Sequence, residues 1–226
     1  MAKEDQIIMV VNRDYLFGEN KKDQFNGFSD YTQINYESRI LSNYEWMRRG
    51  KSGEDIKSLE SVGKKSAESD SQFKQPIAYC MIVNRRLNKV FAYKRSGEHN
   101  ESRLGGKYSW GIGGHIEKFD VENEDGTNPI QISMNRELTE EVDGLGDYKF
   151  KVLGYINDEN NSVGQVHIGV LYIIETDSEN IIPRDSEIEH GSFKSIGELE
   201  KICNDSNMEV ESWSRIAFEP LKKLLS

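Results

Sequence analysis

The feature that most constrains the fold of this chain is an amphipathic segment that runs from Pro129 to Val142. Asn128 is a natural N-cap residue, and proline suits the first helical position because its missing N–H would be unpaired there anyway. The pattern therefore predicts a helix. Its apolar residues recur at helical spacing and form one stripe: Ile130, Met134, Leu138 and Val142. Such a stripe is stable only when another layer of the protein covers it.

The rest of the sequence supplies strands and further helices for that layer. Strands are predicted at five segments rich in β-branched or aromatic residues: Ile7–Val11, Ile77–Val83, Lys89–Tyr93, Tyr148–Asn157 and Gln165–Glu175. Further helices are predicted at three segments: Tyr36–Arg49, Ser195–Cys203 and Ser212–Leu225. In the last, Ser212 is a candidate N-cap, and Pro220 predicts a kink or a break. The short connections favour the α+β class, an α/β/α sandwich with a mixed sheet between helices, over a doubly wound parallel sheet.

A change in composition divides the chain. Residues 51–75 are rich in serine, lysine and glutamate and contain few apolar residues, which is typical of a linker or a long surface loop. The compact part is predicted to begin at Pro76. We therefore expect an N-terminal extension over residues 1–75 and a main domain over residues 76–226.

The predicted helix also carries an acidic face. Glu137, Glu140 and Glu141 have i, i+3 and i+4 spacing, so their like charges repel by roughly a few tenths of a kcal/mol per pair. A solvated acidic surface is one interpretation. The other is a site for a hard divalent cation such as Mg²⁺, which prefers oxygen ligands. The upstream Gly113-Gly114 pair favours the cation, because glycine lets a backbone carbonyl approach a metal closely.

The segment from Gly113 to Leu145 resembles the Nudix box, whose pattern is G-x5-E-x7-R-E-U-x-E-E-x-G-U with U aliphatic. Gly114 matches the opening glycine, and the second half is matched in order by Arg136, Glu137, Leu138, Glu140 and Glu141. The resemblance covers about residues 76–175 and implies the Nudix fold. Within that family, Glu101–Leu104 and Ser109–Ile116 are similar to a little-characterised bacterial branch of predicted phosphoesterases that carry an N-terminal extension.

Two departures from the box lie in its loops, where insertions are tolerated. Residues 115 to 135 separate Gly114 from Arg136, 21 positions where the pattern has 13, so about eight are inserted. The first glutamate of the box therefore has no clean equivalent. Counting from the two ends gives Asp120 or Asn128, and Asp120 or a nearby acid is the candidate replacement. Asp143 also occupies the place of the late glycine.

The resemblance implies a metal-dependent pyrophosphohydrolase with a small-molecule diphosphate substrate, such as a nucleoside diphosphate linked to another group. Mg²⁺ or Mn²⁺ would be held by Glu140, Glu141 and the carbonyl of Gly113. Glu137 would act as a further ligand or as the acceptor that positions a water. Arg136 would order the loop by ion pairing.

Other residues are weaker candidates. Arg95, Arg103 and His115 could contact the substrate, but the default for a loop arginine is solvation, and His115 could serve packing or hydrogen bonding at the base of the loop. Glu187 or Glu189 could supply the general base or an extra ligand from downstream of the box, as occurs in some members of the family. A surface acid is the alternative for each.

Composition excludes several classes of function. The net charge of −10 disfavours a duplex nucleic-acid binder, which needs a basic surface. The apolar run Ile7–Val11 is too short for a signal sequence or a membrane span, and two cysteines provide no disulfide framework, so we expect a cytoplasmic protein. Cys80, within an apolar run, is expected to be a buried, inert thiol. Relatives in the family are often dimers, and the sequence leaves the choice between monomer and homodimer open.

Two other functions are compatible with the same fold. One is a non-catalytic Nudix-like nucleotide-binding or sensor module, but such proteins usually lose box glutamates, whereas Glu137, Glu140 and Glu141 are present here. The other is a diphosphate isomerase, which needs a cysteine beside the allylic carbon. Cys80 lies in a predicted strand, away from any such motif, so the isomerase is disfavoured.

Overall fold

The computed structural model of this α+β protein describes residues 5–50, 65–96, 105–122, 128–184 and 188–226. Within these residues the strands are β1 Ile7–Asn12, β2 Gly27–Asp30, β3 Tyr44–Arg48, β4 Phe73–Asn84, β5 Lys89–Arg95, β6 Tyr108–Ser109, β7 Val142–Asp143, β8 Tyr148–Asn157, β9 His167–Thr176, β10 Ile182–Pro183 and β11 Ile188–Ser195. The α-helices are α1 Arg13–Phe17, α2 Tyr36–Asn43, α3 Phe119–Glu122, α4 Pro129–Glu141, α5 Ser162–Val166, α6 Ile196–Asn204 and α7 Ser212–Leu225.

The larger sheet has the strand order β11-β5-β4-β9-β8-β2, and β7 pairs with β10 in a small second sheet. The chain divides into two compact units. The first comprises the chain up to Ala78 with Gly114–Met134 and Gly154–Val170, and the second comprises Tyr79–Gly113, Asn135–Leu153 and Leu171–Ser226. Among the described helices, none combines the length and the apolar composition needed to cross a bilayer.

In the first unit, β1 lies between two antiparallel neighbours. It pairs with β3 along its length and with the first residues of β4. Its inward side chains Ile8 and Val10 are fully buried with Ala67, and Met47 and Phe73 pack against them. The predicted strand at Ile7–Val11 is thus confirmed.

In the second unit, β5 pairs antiparallel with β11, with the end of β4 and with β6. The connection between β4 and β5 is a tight turn in which Asn88 adopts a positive φ of 52°, a conformation that asparagine tolerates better than most residues. Helix α6 begins at a capping box in which Ser195 and Glu198 exchange hydrogen bonds, as the sequence predicts for a helix start there.

Two predicted elements are wrong in their extent because pairing between distant segments overrides local pattern. The helix predicted over residues 36–49 ends at Asn43, and Tyr44–Arg48 instead forms β3, whose Trp46 lies opposite Met9 of β1. Strand β4 begins at Phe73 rather than Ile77, so the end of the predicted linker belongs to the sheet. Residues 51–64 of that linker lie outside the described residues.

Two smaller corrections concern helix ends. The strand predicted from Gln165 begins only at His167, because Asn161 caps the short helix α5 by accepting the Gly164 N–H. Helix α7 has Glu211 rather than Ser212 at its N-cap position, and it continues through Pro220 without a break. Proline removes one backbone hydrogen bond there, which the packing of the buried face of α7 offsets.

A buried lysine lies in the first unit. The Lys74 side chain has no solvent exposure, and its Nζ donates a hydrogen bond to the Gly164 carbonyl at 2.7 Å and lies 2.9 Å from Glu159 Oε1. Arg13 also pairs with this carboxylate. Burial lowers the pKa of Lys74 to about 8, and Glu159 only partly opposes that effect.

This shift predicts a pH-dependent contribution to stability. Below pH 8 both the folded and the unfolded chain carry the Lys74 proton, and the buried charge costs stability. Between about pH 8 and 10.5 only the unfolded chain keeps it, so the free energy of unfolding rises with pH. In urea titrations, the stability of the parent relative to Lys74→Met should increase by about 1–2 kcal/mol from pH 7.5 to 9.5. If the stability difference between the parent and Lys74→Met stayed the same at both pH values, the assigned pKa of Lys74 would be contradicted.

Candidate functional site

Helix α4 forms as the sequence predicts. Asn128 Oδ1 accepts the N–H of Ile130 at 3.0 Å, which confirms the predicted N-cap. The four residues of the predicted apolar stripe are each at most 4% exposed: Ile130, Met134, Leu138 and Val142. The burial of this stripe fixes the rotation of the helix about its axis, and with it the direction of the acidic face.

The C-terminal end of α4 is held within the second unit by a neighbouring segment. Arg184 donates its backbone N–H to the Glu141 carbonyl at 2.8 Å and its guanidinium to the Thr139 carbonyl at 3.0 Å. Strand β7, which follows the helix directly, pairs with β10. Two of the last carbonyls of the helix are thereby satisfied, and the turn that carries the carboxylates is anchored.

The carboxylates differ in exposure. The Glu137 side chain is 13% exposed and its Oε1 lies 2.5 Å from Arg136 Nη1, whereas the Glu140 side chain is 59% exposed and lies 3.4 Å from the same nitrogen. Glu141 is half-buried. Arg136 therefore pairs with two acids of its own helix, and Glu140 remains accessible to a ligand from solvent.

The glycine corner at Gly113 is positioned by backbone pairing between the residue before it and β4. In the second unit, Cys80 and Ile112 exchange backbone hydrogen bonds of 2.7 and 2.9 Å, and Gly113 follows directly. Burial raises the pKa of the Cys80 thiol, and the negative charges of Glu141 and Glu137 raise it further. These two carboxylates therefore act electrostatically on the residue of β4 that pairs with Ile112.

This donor set suits a hard divalent cation. Two or three carboxylates from one helix turn and a backbone carbonyl at a glycine corner are all oxygen ligands, which Mg²⁺ and Mn²⁺ prefer. The cation would also offset the mutual repulsion of Glu137, Glu140 and Glu141. The residues present therefore fit the implied metal.

Comparison with known proteins identifies a relative over nearly the whole chain. Protein YmaB of Bacillus subtilis is 31% identical over 229 residues, covering 98% of this chain and all of YmaB. The chain belongs to the YmaB family. No family model matches its sequence.

The solved structures that resemble this YmaB-family protein share the Nudix fold. Tm1382, a candidate Nudix hydrolase, aligns with a TM-score of 0.70 at 24% identity over 97% of this chain and all of its own. A Nudix hydrolase from Alicyclobacillus acidocaldarius aligns with a TM-score of 0.53 at 11% identity, over 66% of this chain and 90% of its own. The Nudix domain of Shewanella oneidensis NrtR, solved with ADP-ribose, aligns with a TM-score of 0.50 at 13% identity, over 68% of this chain and 89% of its own. The predicted Nudix fold is confirmed.

Of the residues predicted to contact the substrate, Arg95 lies in the second unit. Its side chain is 19% exposed and lies 3.9 Å from Glu211. Tyr93, Glu211 and Glu141 raise its pKa, so it is a permanent cation. Arg103 lies outside the described residues.

The residues considered as the missing first glutamate of the box, or as an extra acid downstream of it, lie in separate parts of the chain. Asp120 is almost fully buried and its Oδ2 accepts the Glu117 N–H at 2.8 Å, so part of its role is to shape the inserted loop. Asn128 caps α4 and also donates to Glu37. Glu189 is exposed on β11, opposite Lys94, and Glu187 falls in a range that the structure does not describe.

His115 is not simply a loop residue. In the first unit its Nε2 lies 2.8 Å from Gln75 Oε1 and 3.2 Å from His167 Nε2. His167 is buried. Sequence reasoning therefore missed this cluster of residues, since the only local signal was a histidine directly after the Gly-Gly pair.

Proposed function

We propose that the protein is a metal-dependent hydrolase that cleaves a phosphoanhydride bond in a nucleoside diphosphate-linked or related diphosphate substrate. The observation that carries this proposal is the acidic end of α4. Glu137, Glu140 and Glu141 crowd the last turns of one helix, and Glu140 is open to solvent. The charges of Glu137 and Glu141 act on Cys80, whose backbone pairs with Ile112 directly before Gly113.

These acids lie at the C-terminal end of the helix, where carboxylates lower its stability. The C-terminus of a helix carries a partial negative charge, which favours cations and disfavours carboxylates. Helix α4, which is described along its whole length, has no basic residue in its last turn. Acidic residues at a helix C-terminus with no structural benefit point to a functional role. A bound divalent cation would provide the missing positive charge.

Each residue then has a distinct task. Glu140, Glu141 and the Gly113 carbonyl would hold the cation, and Glu137 would either join them or accept a proton from the attacking water. Arg136 limits the repulsion between Glu137 and Glu140 by pairing with both. The cation, when bound, would neutralise phosphate oxygens and lower the pKa of its water. Arg95 is the candidate for binding a phosphate of the substrate.

The diphosphate class is supported by one structural relative. The NrtR domain was solved with ADP-ribose, a nucleoside diphosphate linked to a sugar. An isomerase that used Cys80 is disfavoured, because this thiol is fully buried and its pKa is raised. A sensor module would bind such a ligand without turning it over, and only an activity assay separates it from the enzyme.

The decisive experiment is a substrate panel with and without metal. ADP-ribose, dinucleoside polyphosphates and nucleoside triphosphates are incubated with the protein in Mg²⁺, in Mn²⁺ or in excess chelator, and products are separated by anion exchange. We expect phosphate-bearing products from at least one substrate, and none in chelator. Binding without turnover would instead support the sensor, and turnover that persists in chelator would contradict the assigned metal site.

A further inference from the structure

We infer that the first unit contains a second metal-binding site, formed by Glu68, His115 and His167, which takes a transition-metal ion such as Zn²⁺. One ligand atom from each of the three side chains lies within 4.8 Å of the other two. None of these residues is among the carboxylates of the acidic helix. The proposal therefore goes beyond the hydrolase function and does not depend on it.

The two histidines are arranged as a pair of ligands to one ion. Their Nε2 atoms are 3.2 Å apart. Zinc–imidazole bonds of about 2.0–2.1 Å at a tetrahedral angle separate two nitrogens by about 3.3–3.4 Å. A small adjustment would thus bring both nitrogens into the coordination sphere of a single ion.

The orientation of His167 is fixed by a hydrogen bond at its other nitrogen. Its Nδ1 lies 2.7 Å from the Val163 carbonyl, which can only accept, so Nδ1 carries the proton. In the neutral ring this leaves the lone pair of Nε2 directed toward His115. An imidazole whose second nitrogen donates to a backbone carbonyl is the usual arrangement of a metal-ligating histidine.

A buried amide side chain adds a further candidate ligand. Gln75 has no solvent exposure, and its Oε1 lies 2.8 Å from His115 Nε2. Its Nε2 is buried without a hydrogen-bond partner among the described residues. The amide is therefore positioned by the contact of its carbonyl oxygen with the histidine pair, where that oxygen can serve as a fourth ligand.

Glu68 supplies the negative charge of the site. Its side chain is mostly buried and lies 3.5 Å from the Arg49 guanidinium, which orients the carboxylate. Two imidazoles with one carboxylate suit zinc and its first-row neighbours, whereas Mg²⁺ prefers oxygen ligands alone. The ligands come from the segment before β4, from the corner after Gly114 and from the start of β9, so the ion would cross-link distant parts of the first unit.

The test uses the full-length protein in a Glu140→Gln/Glu141→Gln background, which removes metal binding by the acidic helix. The metal-stripped protein is titrated with Zn²⁺ in competition with a chromophoric chelator at pH 7.5. We expect one equivalent to bind. Adding Glu68→Gln or His167→Gln should weaken binding by roughly 100-fold, since even outer-shell changes cost about 10–100-fold.

The controls separate coordination from folding. His190→Asn removes an exposed histidine and should leave affinity unchanged; asparagine tolerates the positive φ of that position. Circular dichroism checks that each variant is folded. Glu68→Gln, which preserves the size of the side chain, is the test variant if His167→Gln does not fold. Stoichiometric Co²⁺ should give the visible absorption of nitrogen-ligated cobalt in the background protein. Absence of a Zn²⁺ equivalent, or equal affinity in Glu68→Gln and the background, would overturn the proposal.

Discussion

Glu140→Gln is expected to lower kcat/KM on the best substrate by roughly 10²–10³-fold. The substitution keeps the shape of the side chain but removes the charge of the most exposed carboxylate on the acidic turn. Charge stabilisation by a bound cation is worth several kcal/mol in the transition state, and each 1.36 kcal/mol is about tenfold in rate. Steady-state kinetics at several Mg²⁺ concentrations should show the loss together with a higher Mg²⁺ requirement.

The matched control is Glu200→Gln. Glu200 is also a helical glutamate that is substantially exposed and paired with a basic residue, Lys222, but it lies on α6. Its loss should leave kcat/KM within about twofold, because Glu200 is not part of the acidic turn. The fold should also persist, since a surface ion pair contributes only about 0–1 kcal/mol to stability. Equal activity of Glu140→Gln and the parent would show that the metal site is assigned to the wrong residues.

Gly111→Ala is expected to destabilise the protein by about 3 kcal/mol, near the upper end of the usual cost of overpacking. A Cβ at this position would lie 1.9 Å from Cζ of the Tyr79 ring. That ring cannot move away easily, because its hydroxyl contacts Ser214 Oγ at 2.8 Å and its edge packs on Trp213 with ring centroids 5.4 Å apart. Urea denaturation monitored by tryptophan fluorescence measures the change.

Gly197→Ala provides the comparison of opposite sign. Gly197 is in the first turn of α6, and a Cβ there meets nothing within 4 Å. Alanine should stabilise the helix by up to about 1 kcal/mol through its higher helix propensity. If Gly111→Ala differed from the parent by less than about 0.5 kcal/mol, the close packing of Tyr79 over the backbone would be incorrect.

The parts of the fold that the sequence predicted well are those whose signals lie within one segment. Helix α4 has its cap at Asn128, its apolar stripe and its acidic face within a few turns, so spacing alone defined them. Strand β8 was predicted with both ends correct, Tyr148 and Asn157. The box carboxylates were found for the same reason, because Glu137, Glu140 and Glu141 are neighbours on one helix.

What the sequence could not predict depends on distant pairing. Tyr44–Arg48 has helical spacing, yet it becomes β3 because β1 offers it an antiparallel partner. The cluster of Glu68, His115 and His167 forms because the sheet and the glycine corner bring together residues about 50 positions apart, at positions that carry no shared local motif. Tertiary contacts of this kind are not encoded in periodicity, which reports only the face that a residue occupies on its own element.

If the proposed hydrolase function is correct, the three glutamates in the final turns of α4 place stability and catalytic activity in opposition. Replacing them with lysines or neutral residues would suit the helix dipole and relieve like-charge repulsion. On the proposed function, most substitutions that stabilise this turn would therefore also abolish binding of the metal ion. Random variants of the chain selected only for thermal resistance should lose these acids early, whereas variants selected for catalysis should keep them and gain their robustness elsewhere.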